Sequence, residues 1–252
     1  MVFAAFTAVM IVVSPYCTMT DPEDNWLWII GPGAIGRLLA ASLMEARQRE
    51  LCEHETSALP RVLLLGRQAM SGQDVMLDMT TPELLIISAR INHSTIDTLQ
   101  GSSSRKPSAI WLTTKAHGVP AVWQQLAPHI TPETPVTCWQ NGLSAQPWLA
   151  ERHANLLCAS TTEGAFVDDT PEHNAVVHAG HGRTVIGHLD GAYPELAESL
   201  AETLSAAGLA CQAVADIRVR LWHKLAVNAA INPLVARFRI RNGQLRDRPF
   251  RP

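Results

Sequence analysis

The feature that most restricts this chain is a change of pattern at residue 31. Trp26-Leu27-Trp28-Ile29-Ile30 is a short, wholly apolar run, and Gly31-Pro32-Gly33-Ala34-Ile35-Gly36 carries it directly into Arg37-Leu38-Leu39-Ala40-Ala41-Ser42-Leu43-Met44. Five apolar residues in a row suit a strand covered on both faces, and the following segment places apolar residues three and four apart among good helix formers. Strand, glycine turn and helix together form the context in which Gly-x-Gly-x-x-Gly holds a dinucleotide. Gly31 permits the tight turn, Gly33 lets a pyrophosphate approach the backbone, and Gly36 lets helix and strand pack closely. Pro32, Ala34 and Ile35 complete the loop whose free N–H groups and helix dipole would face the anion.

The rest of the chain continues the alternation. Apolar runs at residues 61–65, 84–87, 110–113, 135–139 and 155–159 predict strands, with helix-compatible stretches at 119–126 and 145–152 between them. This order predicts an α/β fold with a mostly parallel, doubly wound sheet. Beyond Thr162, residues 175–178 and 183–187 read as two short strands flanking Ala179-Gly180-His181-Gly182, which predicts a hairpin. Helices are predicted at 195–207, ended by Gly208, and at 217–238, with a last strand at 209–214 between them.

Composition excludes several alternatives. The 252 residues include 20 basic and 23 acidic side chains, a net charge of −3, so a broad nucleic-acid surface is not expected. The five cysteines are odd in number and never paired as Cys-x-x-Cys, which suits a reducing, cytoplasmic compartment. Residues 1–13 are apolar but lack a basic leader and are too short to span a bilayer, so neither a secretory signal nor a membrane partner is expected. Residues 1–24 read instead as a disordered or artefactual extension, with structure beginning at Asn25.

Candidate site residues cluster at strand ends and on the long helix. An NAD enzyme places Asp or Glu at the end of the second strand, whereas this chain has a long intervening segment and then Gly66-Arg67. A guanidinium there suits the 2′-phosphate of NADPH. Lys115, in Thr113-Thr114-Lys115-Ala116, and Asn141, in Trp139-Gln140-Asn141-Gly142, end two adjacent predicted strands and would face cofactor or substrate. On a helix, Lys224, Asn228 and Asn232 form one polar stripe about 12 Å long. The surrounding residues are mostly apolar, so burial of this helix is expected, with the stripe facing a cleft. His178 and His181 lie three apart without a carboxylate nearby in sequence, so no metal site is expected.

These motifs, in this order, resemble the ketopantoate reductase (2-dehydropantoate 2-reductase) family. The resemblance runs from Trp26 to Pro249. It rests on the glycine turn, Gly66-Arg67, Thr114-Lys115-Ala116, Gln140-Asn141-Gly142 and the 178–187 segment. Its most specific parts are Trp222-His223-Lys224-Leu225-Ala226-Val227-Asn228, Ile231-Asn232-Pro233-Leu234 and Asn242-Gly243-Gln244-Leu245-Arg246. It implies a Rossmann-type domain over residues 25–215, then the start of an all-helical substrate domain over 216–252. It also implies reduction of 2-dehydropantoate, a small 2-oxo acid, by NADPH, with Lys224 as general acid. Asn228 and Asn232 would orient the substrate, and Lys115 and Asn141 would lie near the nicotinamide. Members of that family continue with further helices beyond the Asn-Gly-x-Leu-Arg block, so an uncovered apolar helix face, self-association through it and impaired turnover are expected here. The competing readings are a catalytically dead NADPH-binding fragment and a reductase of another branched 2-oxo acid.

Overall fold

The computed structural model describes residues 10–11, 25–68, 74–101, 106–168, 174–240 and 244–247. The strands are β1 (Met10–Ile11), β2 (Trp26–Ile30), β3 (Arg61–Gly66), β4 (Asp74–Thr80), β5 (Ile86–Thr95), β6 (Pro107–Leu112), β7 (Val136–Cys138), β8 (Leu156–Thr161), β9 (Gly164–Asp168), β10 (Ala175–Gly180), β11 (Thr184–Gly187) and β12 (Cys211–Ala213). The helices are α1 (Ala34–His54), α2 (Val119–Leu126), α3 (Ala145–Ala150), α4 (Pro194–Ala206), α5 (Ile217–Phe238) and α6 (Gln244–Asp247). All twelve strands join one sheet, ordered β12-β11-β8-β7-β6-β2-β3-β5-β4-β10-β9, with β1 beside β5.

The central strands are parallel and buried on both faces. All five residues of β2 are buried, and they alternate between two cores: Leu27 and Ile29 pack with α1 and α4, whereas Trp26, Trp28 and Ile30 pack with α2 and α3. Double coverage explains why this strand is continuously apolar. Leu64 on β3 is fully buried, so its truncation to Ala costs about 2–5 kcal/mol. The long segment between the glycines and β3 is mostly α1, a 21-residue helix. It ends where Glu55 takes a left-handed conformation and the buried Arg47 donates to the Leu59 carbonyl.

The predicted hairpin over 175–187 is not formed. β10 pairs with β9 antiparallel and with β4 parallel, while β11 pairs with β8 and β12 at the far end of the strand order. Only residues 162–163 join β8 to β9, and only residues 181–183 join β10 to β11. Such short links span about 10–15 Å, so both ends of the sheet must lie close together and the sheet curls around α1. Thr162 N donates to the Arg183 carbonyl where the links run side by side. Sequence pattern alone predicts a hairpin from two strands adjacent in the chain; the structure pairs each with partners brought by the curl.

Two other expectations change. β4 and the ten-residue β5 form an antiparallel ribbon, where the sequence suggested only a short strand. Met10–Ile11 pair in parallel with Ile86–Ile87, so pairing is not confined to the chain from Asn25 onward; residues 1–9 and 12–24 lie outside the described residues. Arg241, Asn242, Gly243, Arg248 and Arg251 also lie outside them, while Gln244 begins α6. No helix among the described residues is long and apolar enough to cross a membrane.

Candidate active site at the strand rim

The glycine turn obeys its geometric demands residue by residue. Gly31 has φ +115° and its N–H donates to the Leu65 carbonyl, tying the turn to the end of β3. A Cβ on Gly31 would meet Thr114 N at 2.8 Å, and one on Gly36 would meet Gly31 O at 2.0 Å. Gly33 is different: it is exposed, and a Cβ there would meet nothing within 4 Å. Two of the glycines are therefore required by the protein's own packing, while the third leaves space in front of the N-terminus of α1. That N-terminus has no side-chain cap and no acidic residue in its first turn, so its N–H groups remain for an anion. Thr113 locks the arrangement, its Oγ1 donating to the carbonyls of Ile30 (3.0 Å) and Gly31 (2.8 Å). Arg67 follows buried Gly66 and is exposed beside the turn, since a Cβ on Gly66 would lie 3.1 Å from the Pro32 ring.

Register brings the other candidates to the same rim. Ile30, Leu112, Cys138 and Cys158 lie side by side on β2, β6, β7 and β8. Gly33, Lys115, Asn141 and Thr161 each follow three residues later. At about 4.8 Å between strands, the four positions span roughly 14 Å along the carboxyl edge, the edge at which open α/β sheets bind ligands. Lys115 and Asn141 are both exposed there. Gln140 supports them from beneath: buried to 4% exposure, its Nε2 donates to the carbonyls of Leu112 (2.7 Å) and Thr114 (3.3 Å), and Gln146 Nε2 donates to the Gln140 carbonyl.

Lys224 joins this edge from α5. Asp216 caps that helix by accepting from Val219 N, and Ile217 and Leu221 anchor its first turns in the core. One turn beyond Leu221, Lys224 Nζ donates to the Thr161 carbonyl at 2.6 Å. Burial lowers its pKa below the ordinary 10.5, because removing an ammonium from water penalises the charged form. Asn228 is half-buried and Asn232 exposed, so the stripe emerges progressively from the protein. The expected burial of the helix is not met. Val219, Trp222, Val227, Leu234 and Phe238 are exposed, Trp222 by 60%, and of α5 only Ile217 and Leu221 are buried.

Two groups escaped sequence reading. The Thr161 carbonyl that receives Lys224 is a backbone atom and has no sequence signature. Glu163 is the second: its Oε2 accepts from His178 Nε2 at 2.7 Å and from Gly182 N at 2.8 Å. The absence of a carboxylate beside His178 and His181 is thus corrected, because the curl of the sheet supplies one from residue 163.

A family model for Ketopantoate reductase PanE/ApbA matches residues 27–191. A 2-dehydropantoate 2-reductase of Archaeoglobus fulgidus is 39% identical over 140 residues, covering 55% of this chain and 46% of that one. One of Vibrio cholerae is 33% identical over 226 residues, covering 89% of this chain and 67% of that one. Among solved structures, a ternary complex of D-mandelate dehydrogenase with NADH and anilino(oxo)acetate superposes with a TM-score of 0.69 at 20% identity, covering 83% of this chain and 63% of that one. The 2-dehydropantoate 2-reductase of Geobacter metallireducens gives 0.68 at 21% identity, covering 84% and 65%. The chain thus spans between about half and two thirds of the length of these relatives. The fold is Rossmann-type, and the family match over residues 27–191 assigns the chain to the ketopantoate reductase PanE/ApbA family.

Proposed function

We propose that this chain binds NADPH along the carboxyl edge of its sheet and reduces the ketone of 2-dehydropantoate to pantoate, a step of pantothenate and coenzyme A biosynthesis in the cytoplasm. The residues present fit the cofactor: open space at Gly33, an uncapped α1 N-terminus for the pyrophosphate and Arg67 for the 2′-phosphate. When bound, NADPH supplies the hydride.

Every other part belongs to the protein. Lys224 is the general acid: its Nζ carries the proton that the ketone oxygen gains as hydride reaches the carbonyl carbon. An ammonium there also stabilises negative charge that is largest in the transition state. Its depressed pKa makes it a better donor near neutral pH. Asn228 and Asn232 orient the substrate through its hydroxyl and carboxylate, and Lys115 and Asn141 border the nicotinamide and the reacting carbon. Residues 25–215 act as the cofactor domain, and α5 from Ile217 begins the substrate domain. The four thiols of Cys52, Cys138, Cys158 and Cys211 suit a reducing compartment.

The single observation that carries this reading is the 2.6 Å contact of Lys224 with Thr161 on the rim shared with the glycine turn. The test mixes protein, NADPH and 2-dehydropantoate and follows nicotinamide absorbance, with Lys224→Ala as control. Turnover lost in that variant supports the reading; equal turnover in both overturns it. A second reading, a chain that binds NADPH without turnover, is favoured by the exposed apolar face of α5. It predicts saturable NADPH binding and no consumption.

A further inference from the structure

The closure of the curled sheet assembles a cluster that the proposed reaction does not use. Glu163, in the link from β8 to β9, His178, on β10, and His181, in the link from β10 to β11, each place a ligand atom within 4.8 Å of the other two. We propose that this cluster is a site for a divalent transition-metal ion of the zinc type, which ties the two ends of the sheet together.

The donor set selects the ion class. Two imidazoles and one carboxylate form a mixed nitrogen and oxygen set that suits zinc and its neighbours, whereas magnesium and calcium prefer oxygen alone. The set is also built into the fold. Glu163 and His178 side chains are each only 5% exposed, and a buried carboxylate requires compensating partners. His178 Nε2 and Gly182 N converge on Oε2, and a metal ion binding there would displace to solvent the proton shared by His178 and Glu163. Only glycine at 182 allows this approach, since a Cβ there would meet Glu163 N at 2.3 Å.

His181 provides access and adjustment. Its side chain is 60% exposed, and its Nε2 meets Glu83 Oε1 at 2.7 Å. A carboxylate on one ring nitrogen is the usual way in which a ligating histidine is oriented, with the other nitrogen left for the metal. Zinc holds nitrogen and oxygen ligands at about 2.0–2.2 Å, so ligand atoms lying within 4.8 Å of one another must rearrange slightly around the ion. There is room beside His181 for that adjustment, since a Cβ on the neighbouring Gly180 would meet nothing within 4 Å. With three protein ligands, the fourth position is left for water. The inference is independent of NADPH binding and of turnover.

The test is calorimetric titration of the chelator-treated full chain with Zn²⁺ alone, alongside Co²⁺ absorption spectra and melting curves. One saturable equivalent is expected, with a Co²⁺ spectrum of low coordination number and a melting temperature that rises with free Zn²⁺. His181→Ala, at an exposed position, should keep the metal-free melting temperature and lose at least tenfold in affinity. Glu163→Gln should lose affinity similarly, and Glu83→Ala about tenfold, as outer-shell carboxylates typically do. Absence of saturable binding, or affinity unchanged in both His181→Ala and Glu163→Gln, overturns the proposal. Failure of the NADPH assay leaves it untouched.

Discussion

Lys224 Nζ sits 2.6 Å from the carbonyl oxygen of Thr161, so a side chain on α5 is bonded to the edge of a strand 63 residues earlier in the chain. That strand is three places from the glycine turn in the sheet order, and the contact brings an ammonium group to the edge where the cofactor would lie.

Substituting Lys224 should separate chemistry from binding. Lys224→Ala is expected to lower the turnover number by about 10²–10⁴, the usual worth of one positioned acid, while the Kd for NADPH stays within twofold. Stopped-flow single turnover together with fluorescence titration of NADPH measures both. An equal loss in each would show that Lys224 holds the cofactor instead.

The pH profile follows from burial. Because desolvation lowers the Lys224 pKa, the protonated acid disappears at a lower pH than for a free lysine, and the alkaline limb of kcat should fall before pH 10.5. For stability the sign is opposite. Between the folded and unfolded pKa values the unfolded chain binds the extra proton, so the Lys224 contribution improves as pH rises through that window. Kinetic titration from pH 6 to 10, repeated with Lys224→Arg, tests the first: the limb should vanish or move upward.

Gly36 and Gly33 should respond differently to alanine. Gly36→Ala places a Cβ 2.0 Å from Gly31 O and 2.7 Å from Thr113 Oγ1, so a loss of about 1–3 kcal/mol in urea unfolding is expected. Gly33→Ala meets nothing within 4 Å. It should unfold like the parent yet bind NADPH at least about tenfold more weakly, because the methyl stands where the pyrophosphate must approach.

Arg67 should set the choice of cofactor. Arg67→Ala is expected to weaken NADPH binding by about 10- to 100-fold, the worth of charge-assisted hydrogen bonds of roughly 1.5–3 kcal/mol, and to leave NADH nearly unchanged. Parallel titrations with the two cofactors decide it. Equal effects on both would remove Arg67 from the 2′-phosphate.

The exposed face of α5 should drive self-association. Val219, Trp222, Val227, Leu234 and Phe238 together exceed what an isolated surface apolar residue implies. Trp222→Glu should shift sedimentation toward monomer with little change in melting temperature, since Trp222 is 60% exposed.

The strand, turn and helix from Trp26 onward, α2 at Val119–Leu126 and α5 at Ile217–Phe238 were legible before any coordinates. Each has its signal within a few residues: continuous apolarity, paired glycines or a helical period. The β4–β5 ribbon was less legible, because Asp74–Thr80 and Ile86–Thr95 mix polar and apolar residues without the strict alternation that marks a strand, and no two-residue hairpin turn marks their junction. For Lys224, Asn228 and Asn232, helical spacing defined the stripe, but how far each stands from water depends on where α5 meets β8.

Local pattern alone determined the central strands and the main helices, the glycine turn and the polar stripe, because each is specified by neighbours along the chain. The tertiary structure decided that β10 and β11 part company, that Thr161 receives Lys224 and that Glu163 meets His178. The parting of the strands and the Glu163–His178 contact arise from closing a curled sheet over short links, and the Lys224 contact from where α5 meets β8. Closure is a property of all the strands acting together, and no local stretch of sequence encodes it.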